Sequence, residues 1–73
     1  MSRLPRVSGR EVVAALQRIG FRLRRQYGSH MIMRRDVPFA QTVVPDHREV
    51  DTGTLRAILR QTGIGVDEFL KML

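Results

Sequence analysis

Apolar residues along this chain recur first at helical spacing, then in alternation, then at helical spacing again. In "VSGREVVAALQRIGF", Val12, Val13, Leu16 and Ile19 share one face of a helix. Ser8 and Glu11 form an S-x-x-E capping box, and Val7 and Val12 are placed for a hydrophobic staple. Gly20 supplies a left-handed stop, after which Phe21 can fold back onto Leu16. The preceding "MSRLPR" has no periodicity and reads as a loose lead-in.

The next segment alternates. "FRLRRQY" puts Phe21, Leu23 and Tyr27 on one side and Arg22, Arg24 and Gln26 on the other, with Arg25 breaking the pattern. This predicts a half-buried strand, with Tyr27 assigned to the core side. Gly28-Ser29 makes a turn, and "HMIMRR" resumes extended. Asp36-Val37-Pro38 makes a second turn, since proline fixes its own φ and lacks a ladder donor. "AQTVV" is a third strand closed by Pro45, and "DHREVD" is a polar connector.

Helical spacing returns in "TGTLRAILRQTG", capped by Asp51 or Thr52, presenting Leu55, Ile58 and Leu59 and stopped by Gly63. A last short helix, "GVDEFLKML", carries Val66, Phe69, Leu70 and Leu73 on one stripe. The order α-β-β-β-α plus a final helical turn predicts an α+β fold: a three-stranded antiparallel sheet with helices on one face and the other face open. Double-stranded-RNA-binding domains share this topology, which by itself does not establish function.

Size and charge narrow the choices. A chain of 73 residues forms one domain, spanning 1–73, and buries only about 60% of its unfolded surface. That leaves no room for a large cofactor, so any chemistry must use few groups on an open surface. With no cysteine there is neither a disulfide framework nor a thiolate metal site. The longest apolar run, "VVAAL", is far short of a membrane span or signal core, so a cytoplasmic protein is expected. Net charge is +6, divided as +8 over residues 1–35 and −2 over residues 36–73. Twelve of the thirteen basic residues are arginine, whose planar donor fork suits phosphate oxygens. An Arg-rich genome would yield the same composition without a partner. The one-sidedness favours a polyanion, either nucleic acid or an acidic protein.

His30 is the foremost candidate for chemistry. It follows a glycine turn at the start of the second strand, among arginines that disfavour its protonation until a phosphate binds. From the residues alone, the plainer account is an exposed strand histidine without a role. His47 lies in "DHRE", where Asp46 and Glu49 lack the second cluster a metal site needs, so solvation or helix electrostatics accounts for it. A row of stacking aromatics is not supported, because only Tyr27 lies near the basic segment.

Taken together, "LPRVSGREVVAALQRIGF", the early-strand "GSH", "TVVP" with His47 two residues on, and "GTLRAILRQTGI" with "EFLKML" resemble the HicA-type toxins of toxin–antitoxin pairs. The resemblance runs from Leu4 to Leu73 and displaces the plainer account of His30. It implies an mRNA interferase, a ribosome-independent endoribonuclease on a double-stranded-RNA-binding-like fold, with His30 catalytic. It also implies a HicB-type antitoxin that covers this histidine and carries a DNA-binding domain. Gly28, Ser29, Arg24, Arg34 and Arg35 are the residues expected to hold RNA beside it, with no metal and no cofactor. Whether His30 acts as acid or base stays open, and a non-catalytic RNA-binding module is the alternative. The chain departs from its relatives in "RDVPFAQT", where an Asp-Gly hairpin is common, at Tyr27, often lysine, and at Gly65, often a capping serine.

Overall fold

The first helical stretch folds as α1, Gly9–Gln17. In the computed structural model, which describes residues 3–73, Ser8 caps it as the sequence predicts. The Glu11 N–H donates to Ser8 Oγ at 3.1 Å, and the Ser8 N–H donates to the Glu11 carboxylate at 2.9 Å. Gly20, at φ +97°, ends the turn after α1, and the Phe21 N–H donates back to the Leu16 carbonyl at 3.1 Å. The lead-in is tied down more than its composition suggests. Val7 is buried, Leu4 packs against the core, and the Val7 carbonyl accepts from the Val50 N–H at 2.7 Å. Met1 and Ser2 lie outside the described residues.

Three strands follow, β1 (Arg22–Tyr27), β2 (His30–Arg35) and β3 (Ala40–Pro45), in an antiparallel sheet of order β1-β2-β3. Alternation sorts β2 and β3 into two faces. Met31 and Met33 on β2, and Ala40, Thr42 and Val44 on β3, are buried beneath the helices. Cross-strand pairing of Met31 with Val44 and Met33 with Thr42 keeps this dry face in register. The buried Thr42 hydroxyl is satisfied by donating to Gln61 Oε1 at 2.6 Å.

Helix α2, Thr52–Thr62, is capped by Asp51, whose carboxylate accepts from the N–H groups of Gly53 and Thr54. It buries Leu55, Ile58 and Leu59 and stops at Gly63, φ +73°. Helix α3, Val66–Lys71, buries Phe69, but Met72 rather than Leu73 completes its stripe. Leu73 is exposed, because the chain turns after Lys71, where Arg18 donates to the Met72 carbonyl. All helices lie on one side, and the molecule is 17 Å deep at its thinnest, the depth of one sheet and one helix layer. The expected double-stranded-RNA-binding-like α+β fold is therefore present. No helix among the described residues is long and apolar enough to cross a membrane.

Two contacts fasten α1 to the end of the sheet where His30 starts β2. The Gly9 N–H donates to the His47 carbonyl at 2.9 Å, and a Cβ on Gly9 would stand 1.9 Å from the Pro45 carbonyl oxygen. Only glycine fits that approach. Beside it, Asp46 takes both Nε and Nη2 of Arg10, at 3.2 and 3.0 Å, and Nε2 of Gln26 at 3.1 Å. The Arg10 hydrogen bonds, then that of Gln26, hold the Asp46 carboxyl below the usual carboxylate range.

The face assignment makes the adjacent valines of β3 a test. Val44 is fully buried and Val43 is 44% exposed. Val44→Ala should cost about 2 kcal/mol in urea unfolding and Val43→Ala less than about 1 kcal/mol. A one-residue slip of register would reverse that order. Asp46 yields a pH prediction. Its folded pKa is lowered, so its stabilising contribution is complete above the unfolded carboxylate value and lost as pH falls through the folded one. Below roughly pH 4, the urea midpoint of Asp46→Asn should therefore fall less steeply than that of the parent. Parallel slopes would rule the clamp out.

Candidate nucleic-acid interface

The helix-free face of the sheet owes its make-up to one irregularity. Leu23 pairs with Met33 and Arg25 with Ile32, leaving Arg24 as an extra residue in β1. Such a bulge reverses which side the following residues face. Leu23 and Gln26 line a shallow groove against α1 with Arg10, Val13 and Gln17. Arg25 and Tyr27 are thereby sent to the open side. Tyr27 is 54% exposed and lies outside the core to which alternation assigned it. The break in alternation at Arg25 was the signal in the sequence. Its consequence for Tyr27 depended on which strand residue the bulge absorbed.

Tyr27 and His30 are partners across the two-residue turn of Gly28 and Ser29. Directly opposed residues at such a position have Cβ atoms about 4.5–5.5 Å apart, so the phenol and the imidazole are neighbours. His30 is exposed, and its other strand partner is Pro45. Gly28 adopts φ +54°, with nothing within 4 Å of where a Cβ would stand. The Ser29 carbonyl accepts from the Asp46 N–H at 2.6 Å, which pins the turn to the end of β3. Arg25 Nη1 donates to the Tyr27 hydroxyl at 2.6 Å, and its guanidinium carbon lies 5.9 Å from the ring centroid.

Farther along the same face, Ile32 pairs with Val43 and Arg34 with Gln41. Arg22 pairs with Arg34 from the β1 side. Asp36 lies between these like charges, accepting from Arg34 Nε at 2.8 Å and from Arg22 Nη2 at 3.2 Å. The Arg34 hydrogen bond and charge, with smaller contributions from Arg22 and Arg24, hold its carboxyl below the usual range. The Arg24 side chain makes no hydrogen bond among the described residues. Arg22, Arg25 and Arg34, with Arg24 at the edge, outnumber Asp36 here, and this side of the sheet carries a clear positive excess.

Of the residues the sequence singled out, the structure brings His30, Gly28, Ser29 and Arg34 to this surface, with Arg24 at its edge. Arg35 is separated from them. Period-two alternation places it with Met31 and Met33, and its guanidinium carbon lies 4.6 Å from the Phe21 ring centroid. Its Nε and Nη1 donate to the carbonyls of Pro38 and Ile19, so Arg35 closes the rim of the core. His47 is exposed in the connector, two residues beyond the strand partner of His30. Among the described residues, no group of three or more His, Cys, Asp or Glu comes together to hold an ion.

An exposed imidazole beside a phenol, at one end of a flat cationic surface, can transfer a proton to a bound polyanion while arginines hold its phosphates. The family model described as the HicA toxin of bacterial toxin-antitoxin matches residues 9–64, from the start of α1 to just past α2. A search of curated proteins found no match. The matched segment contains all three strands together with α1 and α2, and on that match the chain belongs to the HicA toxin family of bacterial toxin–antitoxin systems.

Proposed function

We propose that this toxin is an endoribonuclease that cuts messenger and other RNAs at the open sheet face, with His30 as its catalytic residue. The observation that carries the reading is the exposure of His30 on the same face as Arg25 and Arg34. The RNA supplies its own nucleophile. The 2′-hydroxyl loses its proton and attacks phosphorus, the P–O5′ bond breaks, and the 5′-oxygen takes up a proton. His30 performs one of these two proton transfers, worth typically about 10²–10⁴-fold. Arg25 and Arg34 neutralise the charge that builds on the phosphate. Gly28 leaves the turn bare, so a backbone phosphate can approach Ser29. The scheme uses no metal, and its products are a 2′,3′-cyclic phosphate and a 5′-hydroxyl. A HicB-type antitoxin restrains the toxin by covering the same surface.

His30→Ala should fold with a stability within about 0.5 kcal/mol of the parent, since the side chain is exposed. Induced in cells, it should no longer arrest growth, and in vitro it should cleave RNA about 10²–10⁴-fold more slowly. Arrest by this variant, or cleavage that stops in excess EDTA and returns with magnesium, would be incompatible with the scheme. RNA binding without scission by the parent would instead make the chain a non-catalytic binding module. Asp36 competes with phosphate for Arg22 and Arg34. Asp36→Asn should bind RNA more tightly, with a salt dependence steeper by roughly 0.7 in log–log slope per guanidinium released. An unchanged slope would show that these arginines do not meet the backbone.

A further inference from the structure

Two aromatic rings stand in solvent at opposite ends of the open face. Tyr27, beside His30, is 54% exposed, and Phe39, in the turn between β2 and β3, is 68% exposed. Each has a guanidinium alongside: Arg25 lies 5.9 Å from the Tyr27 centroid and Arg34 5.9 Å from that of Phe39. Between them the surface is paved by Ile32 and by Val43, itself 44% exposed. Exposed rings forgo the stabilisation that burial would bring, so such a patch marks a surface that is covered when the protein works.

The charge pattern identifies the cover. A ring flanked by a guanidinium offers a π-face for a base and a donor fork for the phosphate beside it, the pairing that single-stranded nucleic acid requires. Duplex RNA keeps its base faces inside its own stack and presents only backbone and groove edges. The hydrogen bond from Arg25 ties down the Tyr27 ring at the strand position paired with His30. From His30 to Arg34 the strand advances roughly 13 Å at ~3.3 Å per residue, the reach of a short extended run of nucleotides.

Building on the ribonuclease reading, we propose that this face accepts single-stranded RNA and discriminates against duplex. One unpaired base stacks on Tyr27 next to the bond that His30 cleaves, and a second stacks on Phe39 at the far end. The two rings set where an RNA can be cut: in unpaired stretches long enough to reach both.

The test uses full-length protein carrying His30→Ala, so that the RNA survives, and a labelled oligonucleotide presented single-stranded or annealed to its complement. At fixed salt the single strand should bind at least tenfold more tightly than the duplex. Tyr27→Leu and Phe39→Leu, which keep apolar bulk and charge, should each weaken single-strand binding about tenfold. Neither should change the salt slope, because no cation is removed. Leucine variants that bind like their parent, or equal affinity for both RNA forms, would overturn the proposal. So would a Phe39→Leu protein that keeps its RNA affinity but loses capture by its antitoxin, since the ring would then serve a protein interface. Equal cleavage of single strand and duplex by protein retaining His30 would sink this inference while leaving the ribonuclease intact. Failure to bind or cut RNA in any form would sink both.

Discussion

Burial of Met31 and Met33 against the helix layer is the contact on which the rest of the molecule turns. Both lie on the middle strand, so both neighbouring strands and the helices above must take their register from them. A strand with two consecutive inward methionines at period two has no choice about the residues between them. His30, Ile32 and Arg34 must face away. In so small a chain one helix layer is all the sequence can supply, and the second face of the sheet stays open. The surface proposed to act on RNA thus lies on the side that the core does not use.

The bulge at Arg24 makes that open side more than a row of cations. It inserts one residue between Leu23 and Arg25, so the strand begins with an apolar side chain toward α1 and ends with Tyr27 facing out. Had β1 kept strict alternation, the phenol would lie under α1 and Gln26 would neighbour the imidazole. The same insertion lets Gln26 reach Asp46, which also takes Arg10. A single irregularity therefore both dresses the surface and fastens the end of the sheet that carries His30.

Charge on this face is arranged rather than merely accumulated. Asp36 holds Arg22 and Arg34 together and cancels part of their repulsion while no partner is bound. Arg25 instead spends its hydrogen bond on a neutral hydroxyl and keeps its whole charge. The surface is cationic at the His30 end and partly self-neutralised at the other. A polyanion would meet an unneutralised guanidinium at one end and compete with a carboxylate at the other. The open face of this toxin is thereby suited to a ligand that carries charge along its length.

Element order, the α1 cap and both glycine stops were legible in the sequence, and the α2 cap was narrowed to Asp51 or Thr52, because caps and stops are local. Ser8 with Glu11, and Gly20 and Gly63, act on backbone groups within a few residues. The position of His30 after Gly28-Ser29 was legible for the same reason. Strict alternation would also have parted Arg34 from Arg35, since neighbours on a strand cannot share a face. What only the tertiary structure decided is which way Arg24, Arg25 and Tyr27 turn, and that Met72, not Leu73, packs beneath α3. A bulge is located by the partner strand and the last turn of a helix by whatever packs across it, and neither is written in the segment itself.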